Sequence, residues 1–430
     1  MNLWSELDNQ QTSLESVKSG RTRRLTEDLV LSSMRAWLLQ DYVLPYCRTL
    51  AASRIYKRCY WIDAWGGHTR QFVAGKETGT ENGVQPAKGR KKEVAAALPA
   101  ILQPVVSLSA MLAQEQRPIT LNGLMLVAGS SSSSQRSQHK AETNDALVLP
   151  KESGLVRGSW QEAASMLLKG IESSPAIFLL NPFGTTPLTL FSQDDLTPLY
   201  QRTTAPTELC LLVPHKQAES SLLAAVRTLE GAAQLTALLR SDRWKALVSQ
   251  KSAKEEDKTS TSIDTFIEMF VAALQRHFLT VQHLTFPVLT GRAVIETAPY
   301  ALLFATRSKE SLLRMNDAVC LYQRHINEKS YKGTLNEAWF ALQQQERYAH
   351  EQQQLYQRVL QQGQSQRPRR WPDLRQQLIL AQFGAYPVHE YDATISTLIA
   401  DGLVRCEWKR QLPGAADIRV PGNDDLLVWR

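Results

Sequence analysis

Cysteine is sparse in this chain, and each one stands alone. The 430 residues contain five, Cys47, Cys59, Cys210, Cys320 and Cys406, with no Cys-x-x-Cys spacing among them. That pattern argues against a zinc or iron–sulfur module and for reduced, mostly buried thiols in the cytosol. None of the eight histidines falls at metal-ligand spacing, so no metal is expected. Long apolar runs are missing too. The longest, such as Ile177 to Leu180 and Leu209 to Val213, suit a strand and fall far short of the roughly 20 residues that cross a bilayer. No membrane partner is expected. The opening Met1-Asn2-Leu3-Trp4-Ser5-Glu6 has no basic stretch leading into an apolar core, so no secretory signal is expected either. No serine sits in a strand-turn-helix elbow, which speaks against a Ser-His-Asp hydrolase. Neither sign of charge dominates: a net charge of +7 is compatible with nucleic acid as a partner and is small for this length.

What is present is enough apolar residue, 43%, to bury at least one large core, and the length favours two domains or one large domain with an appendage. Residues 1–25, polar and carrying Arg21-Thr22-Arg23-Arg24, read as a flexible arm. From Thr26 the spacing of Leu29, Leu31, Met34, Trp37, Leu38 and Leu44 predicts a helix up to Pro45. Strands follow at Arg58 to Asp63, Asn122 to Val127, Ala176 to Leu180 and Glu208 to Val213. Helices are predicted between and after them, at 93–113, 159–171, 195–202 and 220–239. Such alternation implies a parallel sheet with helices on both faces. The basic stretch 68–93 reads as a loop, either a lid or an ordinary insertion. The serine tract Ser130 to Ser134 and the Lys/Glu/Ser/Thr run from Ser249 to Ser262 read as exposed loops. A helix over 263–278, paired strands at 284–289 and 300–306, and a helix over 308–322 close this domain, which spans 26–330. Residues 331–371 form a Gln-rich helical connector. Residues 372–430, two helices and a hairpin, have the pattern of a small winged helix-turn-helix domain.

Two segments carry the chemistry. Cys59-Tyr60-Trp61-Ile62-Asp63-Ala64-Trp65-Gly66-Gly67 is a hydrophobic strand ending in an acid and a glycine turn, which is how a doubly wound sheet meets a nucleotide. Leu179-Leu180-Asn181-Pro182-Phe183-Gly184 is a second such strand, ending in polar acceptors and a stacking ring. Together they point to methyl transfer from S-adenosylmethionine. Asp63 orders the turn made with Trp65, Gly66 and Gly67 and faces the methionine part of the cofactor; alternatively it only caps the turn. Asn181 and the carbonyl of Pro182 accept hydrogen bonds from a target amine while Phe183 stacks on a flat ring and Gly184 completes the turn. The alternative is that Asn181 to Gly184 merely shape a strand-to-helix connection.

In segment order the chain resembles the bacterial three-Cys-motif partner proteins (TcmP) over roughly residues 26 to 410. That family opens with a strand close to Tyr-Ile-Asp-Gly-Phe-Ala-Gly-Pro-Gly, matched by Tyr60-Trp61-Ile62-Asp63-Ala64-Trp65-Gly66-Gly67. A later strand ends in Asp-Pro-aromatic-Gly, matched by Asn181-Pro182-Phe183-Gly184. A third block, Tyr-x-Leu-x-Phe-Ala-Ser/Thr followed by Met-x-x-Ala, is matched by Tyr300 to Thr306 and Met315-Asn316-Asp317-Ala318. The resemblance implies a doubly wound, mostly parallel, Rossmann-like (methyltransferase-type) α/β sheet, a C-terminal winged helix, and a bacterial partner protein encoded nearby.

The chain also departs from that pattern. His68 and Thr69 stand where the family's turn has Pro-Gly. The second strand runs into Val127-Ala128-Gly129-Ser130, with no acid for the ribose hydroxyls. Arg367, Arg369 and Arg370 could touch phosphates or be a solvated linker. His389, Glu390, Asp392 and Asp401 are mostly the wrong sign for DNA. The expectation is therefore a divergent S-adenosylmethionine-dependent methyltransferase-like protein acting on nucleic acid or a base-like amine. The alternative is a catalytically inactive member that binds nucleic acid or a partner protein.

Overall fold

The computed structural model describes residues 27–64, 100–127, 153–182, 192–249, 257–290, 294–333, 335–409 and 419–430. The predicted arm over 1–25, the basic loop over 68–93 and the serine tract lie outside them. Two compact units divide the chain. One takes the described residues of Cys47–Phe286 and Pro299–Arg307, the other those of Met1–Tyr46, Pro287–Ala298 and Ser308–Arg430.

The first helix, α1 (Glu27–Trp37), passes through one π turn (Leu38–Val43) into α2 (Leu44–Ser53). The sequence predicted an end at Pro45. Proline has no N–H to give, so the helical ladder has to skip a rung there. A wider turn, with Leu44 N–H donating to the carbonyl of Leu39, absorbs the gap and the helix continues.

The sheet consists of β1 (Arg58–Ala64), β2 (Thr120–Val127), β3 (Gly154–Arg157), β4 (Ala176–Leu180), β5 (Thr207–Pro214), β6 (Thr280–Thr290) and β7 (Val294–Thr306), in the order β3-β2-β1-β4-β5-β7-β6. β1 to β5 are parallel, and β7 runs antiparallel to β5. Of these, β3 escaped the sequence reading because four residues carry too little pattern to declare a strand.

Helices fill the crossovers: α3 (Gln103–Ala113), α4 (Trp160–Ile171), α5 (Gln193–Gln201), α6 (His215–Arg227), α7 (Leu229–Leu239), α8 (Trp244–Ser249) and α9 (Asp257–Leu274). Ile62, Phe178, Leu180, Leu209 and Leu211 face one side of the sheet, where they share a core with Trp160 of α4, Leu196 of α5, Leu222 of α6, Leu238 of α7 and Phe266 and Phe270 of α9. Strand residues alternate in direction, so Trp61, Ile177, Leu179 and Cys210, also buried, face the other side. There α3 lies so close to β2 that a Cβ on Gly123 would stand 2.9 Å from Val105 Cγ1. Helices on both faces of a mostly parallel sheet make this a Rossmann-like α/β fold.

Two predicted elements are redrawn. The single helix expected over 220–239 is two, because Thr228 leaves helical geometry and caps α7 by accepting the N–H of Gly231 at 3.1 Å. The loop expected up to Ser262 gives way at Asp257 to α9. The buried stripe Ile263, Phe266, Ile267 and Phe270 anchors that helix, and no proline or glycine lies ahead of it to stop its first turns.

In the second unit follow α10 (Lys309–Tyr331), α11 (Glu337–Gln366), α12 (Trp371–Ala381), α13 (Val388–Ala400), and the antiparallel pair β8 (Val404–Glu407) and β9 (Leu426–Trp429). Their core joins Leu355 and Val359 of α11 to Trp371, Leu378, Tyr391, Ile395, Leu427 and Trp429. Backbone pairing extends past the hairpin, since Leu427 N–H donates to the carbonyl of Arg369 at 2.8 Å. The block Met315-Asn316-Asp317-Ala318 organises this unit. Asn316, fully buried, donates to the carbonyl of Tyr386 at 2.8 Å and accepts the N–H of Gly384 at 2.9 Å. Asp317 accepts the N–H of Val388 at the start of α13 at 2.7 Å, and the carbonyl of Ala318 accepts Trp37 Nε1–H at 3.0 Å.

Candidate functional site at the carboxyl edge of the sheet

The strand order reverses at β1. From there the chain goes outward to β2 and β3, then returns to place β4 on β1's other side. Crossovers leave a crevice at such a reversal, outside the carboxyl ends of the two strands. Asp63, the penultimate residue of β1, pairs with Leu179, and Ala64 pairs with Leu180. Asn181 therefore stands one step beyond the end of β4, beside the tip of β1. Alternation puts both polar side chains on the same face, opposite the core that takes Ile62, Phe178 and Leu180. Asp63 is 2% exposed and Asn181 3%, among apolar neighbours. A carboxylate and an amide buried at neighbouring strand tips are expensive to place there, and both have interaction partners within the protein.

Asn181 Nδ2 donates to Gln217 Oε1 at 3.4 Å. Gln217 lies in the first turn of α6, whose N-cap, Pro214, supplies no capping side chain. Next to it, His215 has its Nε2 buried without a hydrogen bond among the described residues. Burial lowers the pKa of His215, opposed by the carboxylate of Asp264, so its ring is neutral at neutral pH. Neither His215 nor Gln217 was singled out from the sequence. The only signal available was that Pro214-His215-Lys216-Gln217 directly follows an apolar strand, a position that parallel sheets reserve for ligand contact.

Pro182 is buried behind Asn181. Trp65, Gly66, Gly67, Phe183 and Gly184 lie outside the described residues, as do Ala128, Gly129 and Ser130. The described part of β2 ends at Val127, without an acid. Arg367, Arg369 and Arg370, exposed at the α11–α12 junction, use their backbones structurally. Arg367 is left-handed and donates its N–H to Gly363, and Arg369 receives Leu427.

Of the acids expected to repel DNA, Asp401 is exposed and accepts Tyr356 Oη–H at 2.7 Å, but Glu390 and Asp392 are turned toward the protein. Glu390 is buried and accepts from Arg324, from Gln352 Nε2 at 2.7 Å and from Tyr348 at 3.3 Å. Asp392 takes Arg375 at 2.6 and 2.8 Å and Trp371 Nε1–H at 2.7 Å. What α13 leaves exposed is His389, Ala393, Thr397 and Ala400. A cavity of about 690 Å³ occurs between α10 and α11, walled by Arg324, Lys332, Arg347, Tyr331, Tyr348 and Tyr386. Its three cations are paired, with Glu390, Glu328 and Glu351, and Glu337 adds a further carboxylate to the wall, so it has no cation to spare for a ligand.

Among the described residues no cluster of three or more His, Cys, Asp or Glu could hold a metal, and no helix is long and apolar enough to cross a membrane. Comparison with protein-family models, curated proteins and solved structures gives no match.

Proposed function

We propose that the chain is a divergent S-adenosylmethionine-dependent methyltransferase-like protein of the three-Cys-motif partner type, acting on nucleic acid or a base-like amine at the β1/β4 crevice. One observation carries this reading: the register that pairs Asp63 with Leu179 and so brings Asn181, two residues farther on, to the neighbouring strand tip, both buried and on one face at the reversal of strand order. The order β3-β2-β1-β4-β5 is that of the nucleotide-binding Rossmann sheet, and the antiparallel β7 lodged between β5 and β6 suits the methyltransferase-type variant that the resemblance implies.

The donor set fits the cofactor in part. Asp63, with the Trp65-Gly66-Gly67 turn, would hold its methionine end, and a methyl group on sulfur is the chemistry it would supply. Asn181 offers an amide oxygen to the N–H of a target amine, which turns the amine's lone pair away from that hydrogen bond, and Pro182 shields the position from water. Gln217 holds the amide in place, and neutral His215 at the neighbouring strand end could accept a proton. Replacing a carboxylate by Asn181 keeps the acceptor and removes a charge that would hold an amine in its cationic, unreactive form. Titration calorimetry with S-adenosylmethionine tests the site. Weak binding that Asp63→Ala abolishes is the expected result, and no heat at millimolar ligand would remove the cofactor from the proposal.

A second reading is favoured by the end of β2. The lack of an acid at Val127 removes the usual ribose anchor, worth roughly 1.5–3 kcal/mol as a charge-assisted hydrogen bond. In this reading the protein is catalytically silent and serves as a binding component. Its C-terminal elements, α12 and α13 with the β8–β9 hairpin, then act as a winged helix whose outward stripe of His389, Ala393, Thr397 and Ala400 suits a protein, such as a partner encoded nearby, better than a phosphate backbone. Pull-down of a defined partner that survives Asp63→Ala supports this second reading.

A further inference from the structure

At the opposite edge of the sheet, where the parallel strands begin, two arginines are spent on structure. Arg202 donates to the carbonyls of Ser174, Glu172 and Pro206. Arg307 donates to those of Tyr200, Arg202 and His277 at 2.9, 3.2 and 2.9 Å and covers the Phe278 ring at 4.5 Å. This clamp fixes an aromatic pair: Tyr200 and His277 stack at 3.9 Å between centroids with planes 3° apart, edged by Phe278. Both rings are partly exposed. Around them stand Arg240 and Arg276, exposed, whose side chains make no hydrogen bond or ion pair among the described residues. Arg240 is held left-handed at the end of α7 (φ 49°), a conformation that a non-glycine residue adopts only when its surroundings require it. Burial, and after it the fields of Arg240, Arg307 and Arg276, lower the pKa of His277, so the imidazole is neutral and stacks as a flat ring. The nearby Asp242 is engaged with Lys245 at 3.1 Å.

The cations continue along this edge. Arg54, Lys57 and Arg58 are exposed before and at the start of β1, and their side chains likewise make no hydrogen bond or ion pair among the described residues. From β1 to β6 is four strand spacings, about 19 Å at ~4.8 Å each. Among the described residues one exposed acid, Glu172, lies on the way, and the buried Glu208 of β5 is near enough to act on Arg307. Guanidinium groups flanking a rigid aromatic stack are what proteins use for single strands, because phosphates need fixed cations and every base has a flat face to add to the pile.

We propose that the amino edge of the sheet binds single-stranded nucleic acid, with phosphates on Arg240, Arg276 and the Arg54–Arg58 segment and a base extending the Tyr200–His277 stack. This surface is independent of the Asp63 crevice, about 20 Å away at the far ends of the strands.

Fluorescence anisotropy of the full chain with a labelled twelve-nucleotide oligouridylate, between about 50 and 300 mM salt, tests it. Binding is expected to weaken at least about tenfold in R240E/R276E. In R240Q/R276Q the slope of log affinity against log salt is expected to fall by about 1.4, the share of two phosphates. His277→Ala should weaken binding about fivefold or more, whereas Asp63→Ala and R367E/R369E/R370E should leave it unchanged. No binding by the parent chain, equal binding by R240E/R276E, or loss confined to R367E/R369E/R370E would overturn the proposal. Loss in R240E/R276E with His277→Ala unaffected and duplex of equal length bound as well would overturn the single-strand assignment and leave a plain anion patch. All three substituted arginines of the C-terminal junction and both of this patch are exposed, so thermal melting of each variant is expected to match the parent.

Discussion

Asn316 shows how one buried amide can hold two chain segments. Its side chain supplies the partners for Gly384 N–H and the Tyr386 carbonyl, neither of which belongs to a helix. Asn316→Ala should leave both groups buried and unpaired, at about 1–3 kcal/mol for each, and Asn316→Asp should keep only the bond from Gly384. Urea unfolding of the two variants checks the ranking; an alanine variant as stable as the parent would refute the role. At this scale the sequence is legible only where chemistry coincides with pattern. Asp63 and Asn181 stand out because each interrupts an apolar alternation at its end. Asn316 was visible as part of a motif, but its partners lie about 70 positions away in sequence, and nothing local announces them. Glu390 and Asp392 misled for the converse reason. They look like surface acids on a polar helix, and only the positions of Arg324 and Arg375 reveal that they point inward.

Among the elements, α11 and β9 meet closely at Gly363. A methyl on Gly363 would stand 2.1 Å from Trp429 Cζ3, while Trp429 Nε1–H is tied to the carbonyl of Pro368 at 3.0 Å. Gly363→Ala must therefore push the indole out or bend the helix. A loss of about 1–3 kcal/mol is expected, read as a lower melting temperature together with a changed near-ultraviolet signal from the displaced tryptophan. Elements with a buried, regular core were readable in advance, β4 to the residue, because a five-residue run buried on both sides has only one conformation that hides it. Boundaries set by hydrogen-bond detail were not. The passage through Pro45 depends on a π turn, the break at Thr228 on a hydroxyl cap, and the start of α9 on burial one turn further on.

Across the sheet unit, Asp63 and Asn181 mark the carboxyl ends of the strands, guanidinium groups gather at the amino ends together with the buried Glu208 of β5, and a histidine accompanies each set. His215 and His277 both have pKa values lowered from 6.5, in each case first by burial. The unfolded chain therefore binds more protons than the folded one as these side chains titrate. Stability should be full above about pH 6.5 and decline as the pH falls through the folded-state values. Urea midpoints at pH 7.5 and 5.5 should differ, and His215→Gln with His277→Gln should remove part of the difference; an unchanged pH response in that double variant would count against it. The α/β class was legible at this scale from the alternation of elements. The sheet order was not, because which strand returns beside β1 is decided by crossovers that leave no mark on composition. The helical unit draws on both ends of the chain: the indole of Trp37 waits for a carbonyl 281 residues downstream. At roughly 5–20 residues per second on the ribosome, that interval is about 15–60 s. During it the apolar surface of Trp37, Leu38 and Leu39 has no native cover from α10, so this segment stays unsatisfied until about three-quarters of the chain has been made.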